Sequence, residues 1–371
     1  MTLSQAPDRV LVVQTSYLGD LVLATPVFAA LKRCWPRVEI AVLARPEAAP
    51  ILRDHPDVDE IIVDDKRGRH HPWIGRLGLV RDLRRRRFDV ALVLHRSART
   101  AMIMALTEIP LRVGFRQSEL SFLYHRRVRR DPTRPDVERQ LSILDAIGIP
   151  YDGAAAVPRL VAGPEACRVA ARELAAAGVA PDVPFAVVAP CSSWLSKRWM
   201  PERFAAVTRR LLNRGEQVVF VGSTGEVAAV AEVRRLAGGG ADLSGRTDAA
   251  GLAAVIARAA AVVCNDSAPM HVADALAVPL VAVLGPTSEA QGFRPRSRRA
   301  AVVCDAELTC RPLCRFGGEA CPLGTQACLD HVTADDVLVA LDRVRAASRD
   351  DGERATPSEE VPGDGDGSRP T

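Results

Sequence analysis

Lysine is almost absent from this chain of 371 residues. It occurs at Lys32, Lys66 and Lys197, and the other cations are arginine. Aromatics are scarce at 4%. No uninterrupted apolar run approaches the ~18–20 residues of a spanning helix. The N-terminal stretch from Met1 to Arg9 is polar, and the apolar run after it is broken by Gln14 and Asp20. We therefore expect no signal peptide. The formal charge of +4 lacks the weight of a histone-like balance, so no nucleic-acid partner is expected. Nine cysteines in a chain this long do not make a disulfide scaffold. What remains is a cytosolic protein, with room for work at a membrane surface. At about 150 residues per domain it has two domains and a tail. Codon drift in a GC-rich genome explains most of the arginine excess; guanidinium forks for carboxylate or phosphate partners are the functional alternative.

Short β-branched runs alternate with helical stretches along the chain. Val10–Val13, Val38–Leu43, Asp59–Val63, Phe88–Leu94 and Leu111–Gly114 read as strands in the first half. Phe185–Ala189, Gln217–Val221, Ala261–Cys264 and Pro279–Leu284 do so in the second. Leu21–Cys34, Ile74–Arg87, Arg99–Leu106, Glu165–Ala177, Pro201–Asn213, Glu226–Leu236, Asp248–Ala259 and Ala268–Leu276 read as helices. Thr333–Ala346 is the closing helix, with Thr333 as its cap and Asp336 three residues on. Such alternation specifies parallel sheets built from βαβ units. The pattern lapses between Tyr151 and Pro164, so the expectation is an N-terminal domain over 1–160 and a C-terminal domain over 161–347. Residues 348–371 are polar, Gly- and Pro-containing, and expected to be an acidic disordered tail. The fold class is α/β, with two Rossmann-like doubly wound domains. Their ligands belong beyond the carboxyl ends of the strands, where helix N-termini face anions.

Five loops at strand ends carry candidate chemistry. Gly19-Asp20 puts a carboxylate at a helix start, as a cap or as a general base facing a substrate hydroxyl. No G-x-G-x-x-G follows that strand, so a dinucleotide fingerprint is missing where an oxidoreductase needs it. Cys191-Ser192-Ser193 followed by Lys197-Arg198 offers hydroxyls, backbone N–H groups and an ammonium to a diphosphate, or is a solvated loop. Asn265-Asp266-Ser267-Ala268-Pro269-Met270-His271 opens a helix whose N–H groups could meet phosphate, although a histidine there is also a common core residue. Gly222 to Glu226 is a glycine turn ending in a carboxylate suited to ribose hydroxyls, and Gly285-Pro286-Thr287 is the fifth loop. Four of the five lie in the second half, where one nucleotide pocket would be assembled. Cys310, Cys314, Cys321 and Cys328 are spaced C-x3-C-x6-C-x6-C, which is no standard zinc pattern. Loop structure, a metal site and a redox pair stay open for them. Arg84–Arg87 and the stretch Arg126–Arg139 are solvated basic faces or attract an acidic acceptor or anionic membrane.

In order along the chain, these segments resemble glycosyltransferase family 9, the heptosyltransferases of the lipopolysaccharide inner core. The resemblance rests on Gln14 to Pro26; Ala189-Pro190 with Lys197-Arg198-Trp199 and Pro201 to Phe204; Asp242 to Thr247; Asn265-Asp266-Ser267 with Pro269-Met270-His271; and Gly285-Pro286-Thr287. His95-Arg96-Ser97, Val137-Glu138-Arg139 and the segment from Cys321-Pro322-Leu323-Gly324 to Cys328 are similar to the heptosyltransferase II branch. The resemblance implies a GT-B fold with a central cleft. It implies inverting transfer from ADP-heptose, without metal or other cofactor, to a lipid-borne Kdo- or heptose-terminated acceptor at the inner face of the cytoplasmic membrane. It makes Asp20 the base and Lys197 the stabiliser of the leaving diphosphate. Ser192, Ser193, Glu226, Asp266, Ser267, Ala268, His271 and Thr287 become donor-side residues, and Arg96, Arg116 and Arg126 acceptor candidates. Ala268 departs from the family's glycine, and its methyl group would crowd a diphosphate lying on that backbone. A related GT-B transferase of another nucleotide sugar, a nucleotide-sugar epimerase and a non-catalytic nucleotide-sugar binding protein are the alternatives.

Overall fold

The computed structural model describes residues 5–287, 292–310, 314 and 317–354. Twelve strands form two sheets. In the first half these are β1 (Arg9–Gln14), β2 (Glu39–Ala44), β3 (Glu60–Val63), β4 (Val90–Val93), β5 (Leu111–Phe115) and β6 (Arg126–Val128). In the second they are β7 (Phe185–Ala189), β8 (Gln217–Phe220), β9 (Ala241–Asp242), β10 (Ala261–Asn265), β11 (Leu280–Val283) and β12 (Ala300–Val303). The sheet orders are β3-β2-β1-β4-β5-β6 and β12-β11-β10-β7-β8-β9, and every pairing is parallel. Read from the opposite edge, the second sheet repeats the order of the first. Strand order therefore reverses at β1/β4 and again at β7/β10, and those two switch points open the crevices where ligands bind in doubly wound sheets.

Burial explains which strands form the middle of each sheet. Val10 to Val13, Val90 to Val93, Ala186 to Val188 and Ala261 to Cys264 are almost wholly enclosed, as strands covered by helices on both faces require. One apolar core layer runs through both halves, from Val10, Phe28 and Ile40 to Val187, Ile256 and Val262. Each sheet has a further layer on its outer face, around Trp199 and Phe204 in the second and Leu79, Leu83 and Ile103 in the first.

Three departures from the sequence reading have local causes. The helix expected over Leu21–Cys34 is two helices, Leu18–Leu23 and Thr25–Cys34. Pro26 has no N–H to give the Val22 carbonyl, and the Thr25 hydroxyl bonds that carbonyl instead, at 2.8 Å. Strands β6, β9 and β12 are additions to the sequence reading; all three are sheet edges. The closing helix spans Ala334–Arg354, so 348–354, the start of the expected disordered tail, continues as helix; the rest of that tail lies outside the described residues. Its cap is as anticipated: Asp336 Oδ2 accepts the Thr333 N–H at 2.9 Å and Thr333 Oγ1 accepts the Asp336 N–H at 3.2 Å. Among the described residues no helix is long and apolar enough to cross a membrane.

Candidate active site at the two switch points

The loop after β10 is built around one buried ion pair. Lys197 Nζ stands 2.6 Å from Asp266 Oδ2, with both side chains nearly enclosed. Asn265 fixes the loops on either side: its amide donates to the Pro190 carbonyl at 2.8 Å and accepts the Trp199 N–H at 2.9 Å. Trp199 is itself anchored, its indole N–H donating to the Val332 carbonyl at 3.1 Å. Ser192 is buried and its hydroxyl donates to the Asp266 carbonyl at 3.2 Å, while Ser193 is exposed. Ser192 thus braces the loop in this structure. Lys197, expected as an ammonium for a leaving diphosphate, is paired here with Asp266.

Helix Ala268–Ala275 begins with its N-terminal N–H groups uncapped by any side chain. Ser267 turns its hydroxyl to the Asn265 carbonyl at 3.4 Å instead. Ser267, Ala268 and Pro269 are only partly covered, so this helix end opens on the cleft. Ala268 is its first residue. One turn in, His271 is buried, and its Nδ1 has no hydrogen-bond partner. Burial holds its pKa below the ordinary value, ahead of the opposing pull of Asp266, Asp274 and Asp136. At neutral pH it is therefore an uncharged ring that can give one hydrogen bond and take another. Thr287, after β11, is also buried with an unpartnered hydroxyl. Unsatisfied buried polar atoms are uncommon in native proteins, and two of them at strand and helix ends facing one cleft are groups that a ligand or water can complete. Glu226, after β8, has Oε2 engaged by the Ser223 N–H and hydroxyl, both at 2.8 Å, and its other oxygen remains for a ligand.

Across the cleft, Asp20 rides on the short helix after β1. Its Oδ2 accepts the Tyr17 N–H at 3.2 Å, so the helix-capping role is real. Among the described residues Oδ1 is unbonded. The carboxyl remains partly accessible but lies deep enough that burial, reinforced by the negative charge of Asp136, raises its pKa to about 6. The Tyr17 hydrogen bond, Arg130 and Arg139 only partly oppose this. That value suits a group that must be ionised yet basic near neutrality. The two halves meet at this position: a Cβ on Gly19 would stand 2.7 Å from His271 Cδ2.

Sequence reasoning missed the support beneath Asp20. Asp136 is buried, bonded by Arg130, 3.1 Å from Arg139 and 2.7 Å from Gln140 Nε2. Gln140 also donates to the Asp20 carbonyl at 3.2 Å and accepts from Gln14 Nε2 at 3.1 Å. The available signal was an acid at a proline-led helix start inside the basic run Arg126–Arg139. Also missed was a cationic cavity of about 450 Å³ beyond β1, β2 and β4, lined by Arg45, Lys66, Arg67, Arg76 and Arg99 with His71 and His95. Lys66 Nζ donates to the Thr15 carbonyl at 2.7 Å. Its pKa is lowered by burial first and then by Arg45, Arg99 and Arg67. His95, between Thr15 and Thr100 at 3.1 and 3.0 Å, is pushed down to about 4 by burial and then by Lys66 and Arg45.

The three arginines expected on the acceptor side separate. Arg96 stands within electrostatic reach of Asp20 and Asp136. Arg116 follows β5 on the cleft side and is exposed, its Nε 3.3 Å from the Arg127 carbonyl. Arg126 instead begins edge strand β6, and its guanidinium bonds the Ala146 carbonyl at 2.6 Å, so the fold ties it to the Ser142–Ile147 turn. The cysteines are all free thiols, and no three potential metal ligands converge among the described residues.

Two doubly wound sheets meeting at their switch points, with a base candidate on one and a phosphate-ready helix end on the other, define a GT-B glycosyltransferase. Residues 76–317 match the model of glycosyltransferase family 9 (heptosyltransferase). The chain is 30% identical to lipopolysaccharide heptosyltransferase 2 of Salmonella typhimurium, over 80% of its own length and 87% of that protein's. It is 28% identical to lipopolysaccharide heptosyltransferase 3 of Escherichia coli, over 73% and 80%. Among solved structures it is similar to the E. coli ADP-heptose LPS heptosyltransferase II, with a TM-score of 0.77, 26% identity and coverage of 92% and 99%. The chain belongs to glycosyltransferase family 9, the heptosyltransferases.

Proposed function

We propose that this protein transfers a heptose from ADP-heptose to the inner core of lipopolysaccharide, with inversion and without a metal, in the manner of heptosyltransferase II. Residues 161–347 hold the donor and residues 1–160 the acceptor. The observation that carries the reading is the pairing of Asp20, its pKa raised to about 6, with the uncapped helix end and His271 directly across the Gly19 contact.

The chemistry follows from these groups. The Asp20 carboxylate takes the proton of an acceptor hydroxyl as that oxygen bonds the anomeric carbon. The bond from that carbon to the diphosphate oxygen breaks on the opposite face, and its electron pair leaves with ADP. Negative charge grows on the diphosphate, where Lys197, the N–H groups from Ala268 onward and the neutral His271 ring stabilise it. Glu226 takes the ribose hydroxyls, and Thr287 supplies a further donor-side hydroxyl. The cationic cavity receives the acidic part of the acceptor, and Arg96, within electrostatic reach of Asp20, and Arg116 add cations on the same half. The protein works in the cytoplasm, against the membrane that carries its acceptor.

The test is a transfer assay with ADP-heptose and a panel of Kdo- and heptose-terminated lipid acceptors, read by mass spectrometry. A mass gain of one heptose on a heptose-terminated acceptor, unchanged by a chelator, is the expected result. Conversion of the donor alone would mark an epimerase, and ADP binding without turnover on any acceptor a binding protein.

A further inference from the structure

We propose that the outer face formed by helices Trp73–Arg85 and Ala98–Leu106 and the turn Ser121–Leu123 docks this protein onto an anionic bilayer. The inference deepens the lipid-borne acceptor reading above and rests on it. The three elements share one inner layer: Leu79, Val80 and Leu83 of the first helix, Ala101, Ile103 and Met104 of the second, and Leu123 of the turn all pack on the same side of the N-terminal sheet. Their opposite sides are consequently one continuous outer face. Arg84 ties the helices together, its Nε donating to the Leu106 carbonyl at 2.8 Å.

That face is unusually apolar for a surface in contact with water. Ile74 is 85% exposed, Phe122 70%, Trp73 65% and Leu77 50%, and Met102 and Leu106 of the second helix are exposed as well, Leu106 next to Arg84. A clustered set of large apolar side chains marks an interaction surface, whereas single ones do not. Charge identifies the occupant. Along the first helix the exposed ridge that carries Trp73, Ile74 and Leu77 continues into Arg81, Arg84 and Arg85; Arg84 pairs with Glu108 and Arg85 with Asp82, so Arg81, with Arg76 beside Trp73, carries most of the excess positive charge. Apolar side chains beside a cationic stretch match the interfacial zone of a membrane with acidic headgroups. The face also adjoins the acceptor cavity. Arg76, which lines that cavity, lies over the Trp73 ring with its guanidinium carbon 5.3 Å from the centroid. An acceptor whose lipid stays in the bilayer would reach the cavity over this rim.

The experiment uses the full chain and co-sedimentation with vesicles of phosphatidylethanolamine and phosphatidylglycerol, against vesicles of phosphatidylcholine alone. The wild type is expected to bind the anionic vesicles, with a blue shift of tryptophan emission and weaker binding at high salt. Ile74→Ser with Phe122→Ser, and separately Arg81→Glu with Arg85→Glu, should each lower partition by about tenfold or more. Both variants should transfer normally to a delipidated acceptor and slowly to a vesicle-borne one. No binding by the wild type, equal binding by the Ile74/Phe122 variant, or concentration-dependent self-association in place of vesicle binding overturns the proposal. Transfer to the delipidated acceptor is read independently. If it persists, docking alone has failed; if it is absent with every acceptor, the function reading has failed.

Discussion

Replacing Asp20 by asparagine should make the protein more stable while removing most of its activity. Asparagine keeps the size of the side chain and can still accept the Tyr17 N–H. It removes a carboxylate that burial and Asp136 hold at about 6, against 3.8 for the same group in water. At 1.36 kcal/mol per tenfold change in proton affinity, the ionised form costs the fold about 3 kcal/mol, and solvent access to the carboxyl trims this to roughly 2. The sign follows from linkage. Between the two pKa values the native state binds the proton more tightly, so wild-type stability falls as pH rises through this window. The substituted asparagine behaves like a carboxyl that is always protonated. Its advantage should be full at pH 8, about half as large at pH 5, and gone below both pKa values. Urea unfolding of the two proteins at pH 8 and pH 5 measures it. Transfer should fall by about 10²–10⁴-fold, the usual contribution of a general base, with ADP affinity kept. Equal stability at pH 8, a stability gap independent of pH, or an active variant would each refute this account of Asp20.

In the wild type, kcat/KM should decline with unit slope as pH falls below about 6, because Asp20 must be ionised to accept the acceptor proton; a flat profile from pH 7 to 5 would exclude it as the titrating group. Lys197→Ala leaves Asp266 buried without its partner, which should cost about 3–5 kcal/mol of stability. Lys197→Met combined with Asp266→Asn should recover most of that in denaturation experiments, yet bind ADP weakly by calorimetry. Lys66→Ala removes a central cation of the acceptor cavity and should raise the acceptor KM about tenfold or more while the donor KM holds. Arg126→Ala should lose about 1 kcal/mol with its bond to the Ala146 carbonyl and leave the acceptor KM unchanged.

Strands enclosed on both faces announce themselves as unbroken apolar runs, and the nine read from sequence include every central strand of both sheets. Edge strands have one free side and need no such run. Strand β6 is Arg126-Arg127-Val128 and β9 is Ala241-Asp242, and neither composition distinguishes them from loop. The candidate donor side was legible for a related reason. Ser192, Glu226, Asp266 and Thr287 each follow a strand closely, so topology alone places them along one sheet edge. The candidate base after β1 was placed in the same way. Its environment was not: Gln140 reaches Gln14 and Asp20 from more than a hundred residues along the chain and brings Asp136 with it. The bond from Arg126 to the Ala146 carbonyl was hidden for the same reason, since a basic run does not say which of its guanidiniums serves the fold.

Asp136 explains why the base and the donor pocket have to be considered as one unit. Its carboxylate raises the proton affinity of both Asp20 and His271, which belong to opposite halves. It could not remain a buried charge without Arg130, Arg139 and Gln140 around it, and all three come from the N-terminal half. Its main chain, however, is tied to the C-terminal half: the Asp136 N–H donates to the Gly292 carbonyl at 2.8 Å. Arg139, which pairs with Asp136, lies over the Phe293 ring with its guanidinium carbon 5.2 Å from the centroid. The left-handed backbone of Gly292 lets that carbonyl approach, since a Cβ there would sit 2.6 Å from Pro135 Cα. The acid beneath the proposed base is therefore also tied to the C-terminal half. Burial comes first and Asp136 second in setting Asp20 to about 6, so loosening the Gly292 contact should shift Asp20 toward its ordinary, less basic value.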